Sequence, residues 1–293
     1  MSARLLLLCP GQGGQHAAMN DLVQHDPAAN ALLAAAPLPV ASLFENRIAQ
    51  PAVVTATLAM WAALRTRLPM RPALVAGYSV GELSAHAVAG ALAPPEAIRL
   101  AHVRAAAMDA AASGEAQTLA AIVGLPVTQA GVLARQAGFE MAIINGHDSC
   151  VVGGLAAQLE QLRELIEAAG ARLQPLPVTV AAHTPYLAGS VAPFAQALRE
   201  TMFTPPACPV LSGVNAVTTL DAADALSRQL AETILWSDCM DAAAEAGITV
   251  ALELGPGAAL SKMLQGRHGQ IACRSVAEFR SLDGIIGWLE RQQ

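Results

Sequence analysis

Apolar residues along the chain follow two rhythms, and their alternation sets the expectation for the fold. Short runs with little polar interruption, Leu5 to Cys9, Ala73 to Gly77 and Thr249 to Leu254, have the length of strands buried on both faces. Between them lie alanine-rich stretches with apolar positions at helical spacing. Ala52 to Leu68 is one, stopped by Pro69 and Pro72. Further helices are expected from about Gly81 to Val88, from Pro95 onward, around Tyr186 to Met202 and over Ala222 to Ile234. Strands alternating with helices predict the α/β class, a parallel sheet covered on both sides.

The rhythm changes near Ser113-Gly114. A strand from Leu119 to Val123 is followed by a helix (Thr128 to Gln136), two strands (Met141 to Asn145, Cys150 to Gly153), a helix (Ala156 to Ala169) and a strand (Leu173 to Val180). Asn145-Gly146-His147-Asp148 supplies turn chemistry between the middle strands. This β-α-β-β-α-β order predicts a small ferredoxin-like α+β subdomain at 118–182, inserted in a large α/β-hydrolase-like domain with a parallel sheet core formed by 1–117 and 183–293.

Composition narrows the classes. With 54% hydrophobic and 14% charged residues among 293, the chain can bury a large core, which argues against disorder. The net charge of −6, with Lys262 as the single lysine, offers no broad cationic face, so no nucleic acid partner is expected. Cys9, Cys150, Cys208, Cys239 and Cys273 are scattered and form no metal-ligand spacing. They read as reduced, buried thiols of a cytoplasmic protein that carries no metal. Met1 to Leu8 superficially resembles a signal peptide, but the apolar run is short and leads straight into Pro10-Gly11-Gln12-Gly13-Gly14, as a strand leads into a loop. No segment is apolar enough over about 18 residues to predict a membrane span.

Gly77-Tyr78-Ser79-Val80-Gly81 fits G-x-S-x-G between an apolar strand and a helix, where a strained turn exposes a nucleophilic serine. The alternative is an ordinary helix-capping serine. A serine nucleophile needs a base. His16, His25, His147 and His268 lie in polar or loop-like surroundings, and His86 and His102 lie inside helices; His183 follows the expected strand end at Val180 and reads as a base or as a structural histidine. Arg104 has small or apolar neighbours in its helix, so it is either a solvated arginine or a half-buried cation suited to gripping a carboxylate. The Pro10 to Gly14 loop is a tight turn, a phosphate cradle, or a means of presenting the Gln12 amide to a reacting carbonyl. Neither a Rossmann nor a Walker motif is present.

In their order and separations these segments resemble the malonyl-CoA:acyl carrier protein transacylase family over nearly the whole chain. The motifs are Pro10-Gly11-Gln12-Gly13, Gln50-Pro51-Ala52, the elbow running into Gly81-Glu82-Leu83-Ser84-Ala85, Arg104, Pro175-Leu176-Pro177-Val178 leading to His183, Gln229 before Trp236, and Glu253-Leu254-Gly255-Pro256-Gly257. The resemblance implies Ser79 as nucleophile, His183 as base, and the Gln229 main-chain carbonyl as the group that orients the imidazole. It also implies an oxyanion hole from the Gln12 and Val80 amides, Arg104 on the malonyl carboxylate, and Gln50 lining the same pocket. Malonyl-CoA is then the donor and the pantetheine-type thiol of an acyl carrier protein the acceptor, with no permanently bound cofactor.

Where most of that family carries histidine before the serine, this chain has Tyr78. Tyrosine there is similar to the epsilon subunit of malonate decarboxylase, which implies the other subunits of that complex as partners. The alternatives are the transacylase of fatty-acid synthesis and an α/β-hydrolase thioesterase, for which the late histidine is His268.

Overall fold

Four consecutive leucines, Leu5 to Leu8, are at most 1% exposed, because they lie in the central strand of a parallel sheet with helices on both faces. The computed structural model of the chain describes residues 3–37, 40–218 and 221–293; Met1 and Ser2 of the apolar start lie outside them. In chain order the large unit begins with β1 (Leu5–Cys9), α1 (Pro27–Ala35), α2 (Asn46–Leu64), β2 (Pro72–Gly77), α3 (Gly81–Val88) and α4 (Pro94–Ala111). A second unit follows: β3 (Gln117–Val123), α5 (Val127–Gln136), β4 (Glu140–Ile144), β5 (Ser149–Leu155), α6 (Leu159–Ala168) and β6 (Arg172–Pro175). The chain then returns with α7 (Ala188–Arg199), β7 (Val210–Leu211), α8 (Ala222–Arg228), α9 (Trp236–Glu245), β8 (Val250–Glu253), α10 (Ala259–Arg267), β9 (Ala272–Ser275) and α11 (Leu282–Glu290).

The first sheet has the order β7-β2-β1-β8-β9 and every pairing in it is parallel. The expected α/β class with a parallel sheet is therefore what the chain forms. The second sheet, β4-β5-β3-β6, is antiparallel and keeps its own core, in which Ile122, Phe139, Val152, Leu162 and Ile166 are buried under α5 and α6. No helix among the described residues is long and apolar enough to cross a membrane.

Three expected elements end or begin elsewhere. The strand drawn to Val180 stops at Pro175. Leu176 N–H still bonds the Leu119 carbonyl, but Pro177 has no N–H for the ladder, and the chain to His183 is irregular. His183 thus does not follow a strand end, as its sequence position suggested; its own N–H is fixed to the Leu230 carbonyl at 2.9 Å. The helix drawn to Ile234 ends at Arg228, and Ile234 instead pairs with Ile143 of the small unit, exchanging bonds with Ala142 and Ile144. Helix α2 starts six residues before Ala52, so Asn46 and Gln50 occupy one helical face at i, i+4, both buried.

His86, in α3, is 2% exposed and packs edge-on against Phe203. Burial pushes its imidazole down to about 4, so between that value and the unfolded histidine value near 6.5 only the unfolded chain takes up the proton. Stability from this group is complete above about pH 6.5 and is lost as the pH falls. Melting curves of wild type and His86→Leu at pH 8 and pH 5 test this. The variant's melting temperature is expected to rise relative to wild type on acidification; a difference independent of pH contradicts it.

Candidate active site

Strand β2 runs into α3 through a turn so tight that neither flanking glycine has room for a side chain. A Cβ at Gly77 would lie 2.3 Å from the Glu82 backbone, and one at Gly81 would lie 2.2 Å from the Cys9 carbonyl oxygen. Between them Ser79 is held at φ +56°, a left-handed conformation that costs a non-glycine residue on the order of 1–3 kcal/mol. His183 carries the same strain at φ +64°. The two strained residues, 104 positions apart, meet: Ser79 Oγ lies 2.8 Å from His183 Nε2.

The proton positions follow from the partners. His183 Nδ1 lies 2.5 Å from the main-chain oxygen of Gln229, which can only accept, so Nδ1 carries the hydrogen and Nε2 is left to accept from the Ser79 hydroxyl. Burial, with the nearby Arg104 charge, pushes the His183 imidazole down to about 3 against the opposing pull of the Gln229 hydrogen bond, and the ring is neutral at physiological pH. A hydroxyl donating to an anchored, neutral imidazole is the arrangement that generates an oxygen nucleophile.

Arg104, expected as either solvated or half-buried, is 1% exposed on α4. Its Nη1 donates to Gln50 Oε1 at 2.6 Å; its Nη2 donates to Gln229 Oε1 at 3.1 Å and approaches Ser79 Oγ at 3.4 Å. Burial pushes the guanidinium down to about 9, countered by the charge of Glu82, so it stays cationic at neutral pH. Among the described residues no carboxylate lies within ion-pair distance of it. A buried cation whose hydrogen-bond partners are all neutral, beside a hydroxyl nucleophile, suits a substrate with an anionic end.

The loop after β1 lies against the elbow. A Cβ on Gly11 would be 2.7 Å from the Tyr78 carbonyl oxygen, and Gln15 pins the loop by accepting from Gly13 N–H and donating to the Leu43 carbonyl. Among the described residues no hydrogen bond takes up the main-chain N–H of Gln12 or Val80. A cavity of about 580 Å3 opens over Ser79 and His183, with Gln12, Tyr78, Asn145 and Lys262 in its walls. Tyr78 reaches across from the large unit and donates to Asn145 Oδ1 of the small unit at 3.1 Å, its ring edge-on to Trp236. A slightly larger cleft of about 660 Å3, lined by His16, Arg67, Phe279 and Asp283 among others, contains none of these groups.

Residues 6–280 match the family model of the acyl transferase domain. The chain belongs to that family. Relatives of this acyl transferase domain include malonyl CoA-acyl carrier protein transacylases of Mycobacterium bovis, 31% identical over 96% of this chain and 99% of the relative, and of Escherichia coli K12, 31% identical over 72% and 71%. Among solved structures it is similar to the malonyl-CoA:acyl carrier protein transacylase FabD of Xanthomonas oryzae (TM-score 0.92, 27% identity, 99% and 98% covered). It is also similar to a malonyl-transacylase solved with its type II polyketide synthase acyl-carrier protein (TM-score 0.91, 25% identity, 99% and 100% covered).

The residues singled out in the sequence, Ser79, His183, Gln229, Gln12, Val80, Arg104 and Gln50, lie together around the cavity over Ser79, and His268 falls elsewhere, bound to Asp241 at 2.8 Å. Sequence reasoning quoted Glu82 in the elbow motif but gave it no role, and it missed the side chains of Gln229 and Asn46. Glu82 is fully buried, and an acidic residue inside the elbow motif, in a helix whose other positions are small, apolar or uncharged at neutral pH, was the available signal.

Proposed function

We propose that this acyl transferase moves a malonyl group from coenzyme A to the pantetheine thiol of an acyl carrier protein through an ester on Ser79. The single observation that carries this reading is the juxtaposition at Ser79 Oγ of a neutral imidazole at 2.8 Å and a buried guanidinium at 3.4 Å that makes no direct ion pair among the described residues. His183 accepts the Ser79 proton at Nε2 as Oγ attacks the thioester carbonyl. The imidazolium then shares its Nδ1 proton with the Gln229 carbonyl, which orients the ring without a carboxylate. The Gln12 and Val80 amides receive the oxyanion, each such donor being worth about 2.7–4 kcal/mol in the transition state. Coenzyme A leaves as the thiol after taking the proton back from His183. The carrier thiol next attacks the serine ester with its proton passing to His183, and Oγ regains a proton as it is expelled.

Arg104 takes the free carboxylate of the malonyl group, and Gln50 holds the guanidinium toward it. We read the large unit as α/β-hydrolase-like around the elbow, comprising 1–117 and 183–293. The strand order of the 118–182 insertion we read as ferredoxin-like. The sequence expectation of a malonate decarboxylase subunit, drawn from Tyr78, is less well supported than its alternative. The relatives named above are malonyl transacylases acting with acyl carrier protein, one of them FabD, and none is a decarboxylase subunit, which favours the alternative of a transacylase of fatty-acid synthesis, with no decarboxylase subunits as partners.

Transfer is separated from hydrolysis by product analysis. With malonyl-CoA and a thiol-bearing acyl carrier protein, malonyl is expected on the carrier, and without the carrier little free malonate is expected beyond one turnover. Steady release of malonate without an acceptor marks a thioesterase and overturns the proposal.

A further inference from the structure

We infer that Glu82 is a positioning residue that orients the Gln229 carboxamide between itself and Arg104, and through it sets the preference for a carboxylated acyl group; the inference rests on the reading of Arg104 given above. A carboxylate in the first turn of α3, 0% exposed, demands partners. Its Oε2 accepts from the Gln229 Nε2 at 2.5 Å and from Gly213 N–H at 3.0 Å. Burial pushes the carboxyl up to about 7, and those two hydrogen bonds, together with the Arg104 charge, pull it back toward the ionised form.

Glu82 offers an acceptor where Arg104 offers donors, so only one orientation of the amide between them satisfies both. The Gln229 NH2 must face Glu82, and its Oε1 must face Arg104 Nη2, as it does at 3.1 Å. The main-chain oxygen of the same residue holds His183 Nδ1. The guanidinium is thereby braced on two sides by carbonyl oxygens, Gln50 Oε1 and Gln229 Oε1, and Gln50 is itself fixed by donating to Asn46 Oδ1 at 2.7 Å. Without the Glu82 acceptor the carboxamide is free to turn its NH2 toward Arg104, which replaces an acceptor with a donor facing a cation. That fault touches the site for the acyl carboxylate and leaves the contact between Ser79 and His183 in place.

Steady-state transfer from malonyl-CoA and acetyl-CoA is the readout for Glu82→Ala, Glu82→Gln, Gln229→Ala and the double variant Glu82→Ala/Gln229→Ala, with Arg104→Ala in parallel. Glu82→Ala is expected to raise KM for malonyl-CoA about tenfold with a smaller change in kcat, and to leave acetyl transfer nearly unaffected. Glu82→Gln retains a carbonyl acceptor and is expected to recover most of the loss. In the Gln229→Ala background the Glu82 substitution should add little, the non-additivity of residues acting through one contact. Equal losses for malonyl and acetyl, or additive effects in the double variant, overturn the inference. If Glu82→Ala does not fold, Gln229→Ala, which keeps the main-chain carbonyl, carries the test: a malonyl-specific rise in KM supports it and a loss shared by both donors overturns it. Should Arg104→Ala itself leave the malonyl preference intact, the reading of Arg104 fails instead.

Discussion

Ser79→Ala is expected to lower malonyl transfer by on the order of 10^6-fold, the scale seen when the nucleophile of a coupled serine and histidine pair is removed. The reason lies in how much of the site converges on one oxygen. Ser79 Oγ donates to His183 Nε2 and receives Arg104 Nη2, so deleting it removes both the attacking atom and the group at which base and cation meet. The fold should survive, because alanine keeps the left-handed backbone that Gly77 and Gly81 make possible. A folded variant retaining more than about 1% of the wild-type rate would show that another group does the chemistry, since such residual activity exceeds what remains after loss of a nucleophile.

Arg104→Ala carries the second largest effect, and it is selective. Truncating one partner of a buried, hydrogen-bonded charge pair costs about 2–5 kcal/mol, and Arg104 makes such a pair with the substrate carboxylate, so kcat/KM for malonyl-CoA should fall about 30- to 5,000-fold. Acetyl-CoA has no carboxylate to offer; in the wild type it leaves the guanidinium with the neutral oxygens of Gln50, Gln229 and Ser79. Removing that unpaired charge should spare acetyl transfer or improve it. Competition between the two donors, read as the ratio of acylated carrier products, measures the switch. Equal losses for both donors would take Arg104 out of the selectivity role.

The elements most legible in the sequence were those whose local chemistry decides their form. The buried leucine run of β1 and the elbow around Ser79 announce themselves because continuous apolar residues and closely spaced glycines have few other uses. The β-α-β-β-α-β rhythm was equally plain, with errors of one to three residues at several of its ends and a larger one at the last strand. Apart from that strand, where Pro177 interrupts the ladder, what failed were boundaries set by distant partners. Nothing near Leu230 says that its carbonyl will take the His183 N–H, or that Ile234 will leave a helix to pair with Ile143. The strained turn at His183 was hidden for the same reason. It is imposed from outside, by the Leu230 carbonyl on its amide and the Gln229 carbonyl on its ring.

Long-range polar partners were the least legible part of the site. Arg104 looked like a helical arginine with small neighbours, and only the packing of α4 against α2 shows that Gln50 closes over it. Glu82, quoted as part of the elbow motif, was given no role because its partners, Gly213 and Gln229, lie 131 and 147 residues away. Tyr78 drew attention toward a different complex. In the structure its hydroxyl has a local use, joining the elbow to Asn145 of the small unit across the cavity.

The most direct test mixes the enzyme with malonyl-CoA in the absence of carrier protein and follows coenzyme A release together with the intact mass of the protein. One equivalent of coenzyme A should appear in a burst, with one malonyl group mapped to Ser79 and the burst abolished in Ser79→Ala and strongly slowed in His183→Ala. A protein that stays unmodified, or a malonyl group found on any other side chain, would contradict acyl transfer through this serine.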